Sequence, residues 1–289
     1  MQPYGVVVSV DGSAESDAAV RWATQEALMR ALPITLIHVV APPVVSWPVV
    51  ALYENIAELQ QDNARQIIEQ ARKTVEAAGA QSQPDVFSEV MIGNVVPTLV
   101  DASKTAEMVV TGSRGAGVIS SALLGSVSAG LVHHAHGPVA VIRSDQDPVA
   151  KAHAPVLLGI DGSRASEGAT ALAFEEASRR RVPLIALHVW SDVGVFPVLG
   201  MDWREYEEQG QEILGERLAG WQEQYPDVAV QRRLECDQPA HWLIEESRHA
   251  QLVVVGSHGR GGFTGMLLGS VSSAVAQSAA VPVIVVRSR

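Results

Sequence analysis

Two glycine-rich segments are the places where this chain could hold an anion. In the first, Gly112-Ser-Arg-Gly115-Ala-Gly117 is followed, with nine residues between Gly115 and Gly125, by Gly125-Ser126-Val127-Ser128. In the second, Gly256-Ser-His-Gly259-Arg-Gly261 is followed at the same spacing by Gly269-Ser270-Val271-Ser272. Glycine reaches positive φ and carries no Cβ, so a loop rich in it can turn its peptide N–H groups inward on a phosphate. A helix beginning at Ser126 or Ser270 would add its own free N–H groups and the positive end of its dipole. One such loop alone reads better as an ordinary turn with a serine cap. Two at identical spacing favour phosphate binding.

The second candidate element is Asp11-Gly12-Ser13 and its counterpart Asp161-Gly162-Ser163. A carboxylate here could accept from a base amino group or a ribose hydroxyl, whereas it would repel a phosphate; the competing reading is an Asx turn or helix cap. His133, His134 and His136 have no compact zinc spacing, and adjacent residues on a helix do not face each other. They read as cations at a helix C-terminus. Cys236, the single cysteine, reads as a small residue at a strand end. The apolar stretches around Trp47 and Phe196 read as simple packing, as packing between domains, or as covers over a bound ligand.

The elements that must position these residues come in two copies. Val109–Ser144 aligns without a gap on Val253–Ser288, with half of the positions identical, and Asp11 and His38 recur as Asp161 and His188. A unit this long, present twice, is a duplicated domain rather than a solenoid. The boundaries fall at residues 1–146 and 153–289, joined by a polar, proline-containing stretch. In the first copy, apolar β-branched runs at Gly5–Val10, Ile34–Val40, Asp85–Val90, Met108–Gly112 and Val139–Ile142 predict strands. Helical periodicity covers Ala14–Ala31, Tyr53–Ala78, Val95–Thr105 and Ser121–Ala135. Near-continuous Val, Ile and Leu imply strands covered on both faces. The β-α alternation then predicts a doubly wound, Rossmann-like parallel sheet with ligands at the carboxyl ends of its strands.

Composition is consistent with this. The 289 residues suit two domains, and 47% hydrophobic against 18% charged residues is globular usage. A net charge of −11 with scattered Lys and Arg argues against nucleic acid as a partner. No apolar run reaches the roughly 20 residues needed to span a bilayer. With no signal-peptide pattern before Val6, a cytoplasmic location is the expectation.

The spacing Gly112-x2-Gly115-x9-Gly125-Ser126, with an aspartate after the first strand and His-Val closing the second, resembles the ATP-binding branch of the universal stress protein family, in its tandem actinobacterial form. The resemblance spans both halves. It implies five-stranded sheets in the order 3-2-1-4-5, and pairing of the two domains through their fifth strands as an internal pseudo-dimer. It also implies that Asp11 and Val39, like Asp161 and Val189, meet an adenine. Gly112, Gly115, Gly125, Ser126 and Val127, with Gly256, Gly259, Gly269, Ser270 and Val271, would line ribose and phosphates. ATP is the implied ligand, and a Mg²⁺ could be shared between its phosphates and Ser126 or Ser270.

The copies depart from each other at Arg114 against His258, at Ala116 against Arg260, and at Gly93, which the second half lacks. Neither copy has a Walker lysine, a Ser-His-Asp spacing or an acidic pair beside its glycines. The expectation is therefore a nucleotide-binding regulator with at most slow hydrolysis, whose occupancy biases domain pairing or the binding of a protein partner, with a homodimer as a further expected assembly. An ATP-consuming enzyme of the adenine nucleotide α-hydrolase group and a pairing scaffold with vestigial sites are the alternatives.

Overall fold

The computed structural model describes residues 4–42, 53–79, 82–115, 124–144, 151–163, 166–190, 203–259 and 268–287. The chain divides into two compact units, Met1–Ser144 and Asp145–Arg289. In the first, β1 (Gly5–Ser9), α1 (Ala14–Arg30), β2 (Ile34–Val40), α2 (Tyr53–Gly79), β3 (Val86–Ile92), α3 (Val95–Ala102), β4 (Ala106–Gly112), α4 (Ser126–His134) and β5 (Val139–Ile142) follow in order. The second holds β6 (Val156–Gly159), α5 (Glu167–Arg180), β7 (Leu184–Trp190), α6 (Trp203–Gln224), β8 (Val230–Cys236), α7 (Pro239–Ser247), β9 (Leu252–Gly256), α8 (Ser270–Ser278) and β10 (Val283–Val286).

Each unit is a parallel sheet. The first runs β3-β2-β1-β4-β5 and the second β8-β7-β6-β9-β10. The order reverses beside β1 and β6, which puts the crevice of a doubly wound sheet between the ends of β1 and β4, and of β6 and β9.

The middle strands are covered on both faces: Val6, Val7, Val8 and Val110 are fully buried, as are Leu157, Leu158 and Val254. The edge strand β3 departs from that expectation. It pairs with β2 alone among the described strands, and Phe87, Val90 and Ile92 stand exposed along it. Helix α1 lies close on the sheet because its inner face is alanine: Ala19, Ala23 and Ala27 are fully buried. Ser13 caps its first turn by accepting from the Ser16 N–H at 3.1 Å. Its C-terminus is closed by Ala31 in the left-handed region at φ 52°. In α2, Ala64, Ala71 and Val75 form the buried stripe that helical periodicity predicts. In the second unit Phe174 of α5 stacks on Trp221 of α6 at 6.1 Å between ring centres. No described helix is long and apolar enough to cross a membrane.

A buried ion pair recurs on the first helix of each unit. Arg30 Nε meets Glu26 at 2.6 Å with side chains 3% and 0% exposed, and Arg180 meets Glu176 at 2.9 Å with 13% and 0%. Removing one partner of such a pair strands a charge away from water. Glu26→Ala is therefore expected to cost roughly 3 kcal/mol in the first unit, and Glu176→Ala less, because Arg180 keeps some access to solvent. Urea denaturation of the two variants, followed unit by unit, checks both the size and the order.

Candidate functional site

The site is built where β1 and β4 end. The chain leaves β1 through Asp11, then turns at Gly12 with φ +80°, a conformation that the equivalent Gly162 repeats at +73°. Only glycine takes this region without strain, so the Asp-Gly-Ser order is a backbone requirement. The Asx turn anticipated from sequence is present: Asp11 Oδ1 accepts from Ser13 N–H at 3.0 Å, and Asp161 Oδ1 from Ser163 N–H at 2.9 Å and its hydroxyl at 2.7 Å. The cap of α1 is Ser13 rather than the aspartate. The turn thus engages Oδ1, and Oδ2 faces the glycine loop.

A Cβ built on Gly115 would lie 2.7 Å from Asp11 Oδ2, and one on Gly259 would lie 2.5 Å from Asp161 Oδ2. The loops are glycine here because carboxylate and backbone pack directly together. Gly112 is fixed by a different neighbour: its Cβ would meet the Glu15 backbone of α1 at 2.9–3.0 Å. Gly125 would meet the Arg114 Cα at 3.2 Å and the Gly115 nitrogen at 3.6 Å. The sequence reading offered positive φ as one reason for these glycines. Among the described glycines positive φ falls instead on Gly5, Gly12 and Gly162, so Gly112, Gly115 and Gly259 serve by the missing Cβ.

Behind the loop stands an uncapped helix. The described part of α4 begins at Ser126, with Leu124 and Gly125 outside it, which places the start later than the expected Ser121. Gly125 and Gly269 occupy the N-cap positions of α4 and α8 without a side-chain hydrogen bond to the first turn. Among the described residues no side chain caps the N–H groups of this first turn, Ser126 and Val127 or Ser270 and Val271, which have the helix dipole behind them. Two hydrogen bonds hold this end against β4: Gly125 N–H donates to Ser113 O at 2.8 Å, and the Ser128 hydroxyl donates to Ser113 O at 2.9 Å. In the second unit Gly269 N–H donates to Ser257 O at 2.7 Å and the Ser272 hydroxyl to Gly256 O at 2.5 Å.

The other wall is β2. In a parallel ladder alternate residues turn their peptide groups to opposite neighbours. Val10 N–H donates to Ile37 O on the β1 side, and Gly93 N–H donates to Val40 O on the β3 side. Val39 therefore turns its N–H and C=O toward β1, beyond the last paired residues Ser9 and Ile37. Ile160 N–H to Leu187 O repeats the arrangement and leaves Val189 in the same position. Each crevice thus offers a main-chain donor and acceptor on one side, a carboxylate in the middle and the first-turn N–H groups of a helix on the other side.

The comparisons with known proteins bear on what such a crevice is. The model of the universal stress protein family matches residues 5–143 and again 153–287. The chain belongs to this family. A universal stress protein of Mycolicibacterium smegmatis is 59% identical over 287 residues, covering 99% of this chain and 98% of its own. One of Mycobacterium tuberculosis is 51% identical over 286 residues, covering 98% and 96%. Among solved structures, a universal stress protein from Archaeoglobus fulgidus superposes with a TM-score of 0.72 over 99% of both chains at 22% identity, a likeness of fold.

In this universal stress protein several site neighbours were not legible as such. His38 and His188 lie with Nδ1 2.7 Å from Val10 O and Ile160 O. A carbonyl only accepts, so Nδ1 carries the proton and the ring ties the end of β2 to the turn. Their repetition was a signal, but spacing alone gave them no role. Ser128 and Ser272 recur three residues after a glycine, again without a readable partner. Arg114 pairs with Glu15 at 2.9 Å, while its counterpart His258 has Nδ1 3.0 Å from the Ser257 hydroxyl.

After β8, Asp237 and Gln238 take left-handed conformations at φ 60° and 53°, where the first unit has Gly93 and Asn94 after β3. Cys236 is exposed at the end of β8. His133 turns Nδ1 back to Ala129 O at 2.7 Å on its own helix. Among the described residues no group of three or more His, Cys, Asp or Glu side chains converges as a metal site. Trp47, Ala116, Phe196 and Arg260 lie outside the described residues.

The Ser128 clamp can be tested directly. Ser128→Ala removes a buried hydroxyl that holds α4 to β4, and is expected to cost about 1 kcal/mol in the first unit. Hydrogen exchange at the Gly125 N–H should accelerate with it, and a Gly125 exchange rate equal to that of the unaltered protein would show the clamp to be unimportant.

Proposed function

We propose that this universal stress protein is an ATP-binding regulator with one adenine-nucleotide site in each domain, residues 1–146 and 153–289. The observation that carries the reading is the packing of an aspartate carboxylate on a glycine loop beside an uncapped helix N-terminus, present in both units. In this reading the adenine lies at Val39 or Val189, where main-chain donor and acceptor are free to read its edge. Asp11 or Asp161 accepts from the base or ribose. The phosphates meet the N–H groups of Gly115, Ser126 and Val127, or of Gly259, Ser270 and Val271, with Gly112, Gly125, Gly256 and Gly269 keeping the backbone close.

A triphosphate brings charge that the dipole offsets only in part. Mg²⁺ fits here as an ion held largely by phosphate oxygens and water, with the exposed Ser126 or Ser270 hydroxyl as the protein's donor. Bound there, it would neutralise phosphate charge. No side chain among the described site residues is placed to activate a water, so hydrolysis is at most slow. Nucleotide occupancy then acts by biasing how the domains pair or which protein partner binds, as a stress-response protein in the cytoplasm would require.

Calorimetric titration of the full chain with ATP tests the reading. Asp11→Ala and Asp161→Ala should each weaken one site by about 1–3 kcal/mol, the cost of a lost charge-assisted hydrogen bond. Gly115→Val and Gly259→Val should do more, since the added atoms collide with the carboxylate. Absence of ATP binding at millimolar concentration would leave the pairing scaffold, and rapid turnover with a second substrate the enzyme, as the better account.

A further inference from the structure

The two crevices share a backbone but not a charge. In the first unit, a Cβ on Gly12 would lie 3.2 Å from Ile67 Cγ1 of α2, so the outer side of the Asp-Gly-Ser turn is apolar. Arg114, in the glycine loop, is already engaged by Glu15 of α1 at 2.9 Å, the two side chains only 21% and 16% exposed. That pair is internally neutral.

The second unit reverses each feature. The residue 150 positions after Ile67 is Arg217 of α6, and its guanidinium donates to Gly162 O, one residue from Asp161. The sequence carries Ala165 at the position of Glu15 and His258 at that of Arg114. Along α6 the positions three and four residues from Arg217 are Ile213, Leu214, Gly220 and Trp221, so no acidic residue competes for it at helical spacing. Asp161 Oδ2 faces Gly259, so Arg217 and the loop that would hold phosphates adjoin the same Asp-Gly-Ser turn. A charge acts over a Debye length of about 8 Å at physiological salt.

We infer that the two sites read different nucleotide states, with the second selecting for phosphate charge through Arg217 and the first nearly indifferent to it. The inference rests on the nucleotide-binding reading above. Arg217 makes its hydrogen bond to the turn and acts on the ligand through space, as a specificity-determining residue. The second site then takes nucleoside triphosphates in preference to monophosphates, while the first accepts both. A protein so built would report the ratio of the two forms as two occupancies rather than one.

The test uses the full chain with one site blocked at a time: Gly115→Val to read the second site, Gly259→Val to read the first. AMP, ADP and ATP are titrated without divalent metal at low and moderate salt. Each added phosphate charge within about a Debye length of Arg217 should strengthen binding roughly threefold at the second site. The ATP-to-AMP affinity ratio there should then exceed that of the first site about tenfold, and fall with salt. Arg217→Ile, which copies the first unit, should bring the ratio down to the first site's value, weakening ATP more than AMP; Arg217→Lys should keep it. Ile67→Arg should raise the ratio at the first site. If both sites bind nucleotide with equal ratios, or Arg217→Ile leaves the ratio intact, the inference is overturned while nucleotide binding stands. If folded protein binds no adenine nucleotide, the functional reading fails and the inference with it.

Discussion

The close packing of an aspartate carboxylate on a glycine backbone organises the rest of each unit. Asp11 leaves β1 and Gly115 leaves β4, and the two strands are neighbours only because the order of the sheet reverses between them. The contact leaves no room for a Cβ, so it fixes the residue type of the loop. It also fixes the carboxylate, whose Oδ1 is held by the turn that starts α1. The start of α4 is held in turn to β4 through Ser113, which keeps the first-turn N–H groups of that helix on the same side as the carboxylate. Strand order, turn geometry and helix placement all converge on one small volume.

The duplication makes the physical requirements visible by what it kept and what it changed. The carboxylate, the glycine that packs on it, the uncapped N-terminus, the serine clamp and the His-to-carbonyl tie occur in both units. Residues on the rim differ: Ile67 against Arg217, and Arg114 against His258. A backbone cradle needs particular shapes at a few positions, whereas the surrounding charges can change without disturbing it. That separation lets one architecture serve two sites of unlike electrostatics.

Much of the fold was legible because burial on both faces writes a simple pattern. Val6–Val8 and Val253–Val255 are continuous apolar runs, and a short run of β-branched residues between turn signals has few other readings. The edge strand β3 was harder, since exposure of Phe87, Val90 and Ile92 follows from its place in the sheet and not from its composition. The first turn of α4 was placed too early because Ser121–Leu124 fit helical spacing, while the N-cap geometry at Gly125 is a tertiary feature, set by its bond to Ser113.

By itself the sequence determined the duplicated domain, the parallel α/β order, the family, and the glycines, aspartates and valines from which a nucleotide site could be made. These are recorded in local spacing and in repetition, which a linear chain displays directly. Only the tertiary structure decided that Gly112, Gly115 and Gly259 serve by lacking a Cβ rather than by taking positive φ, that Asp161 rests against Gly259, and that Arg217 reaches the turn at Gly162. Those facts depend on how strands cross over and how a long helix is rotated against its sheet. They join residues scores of positions apart, and no local pattern encodes which of them will touch.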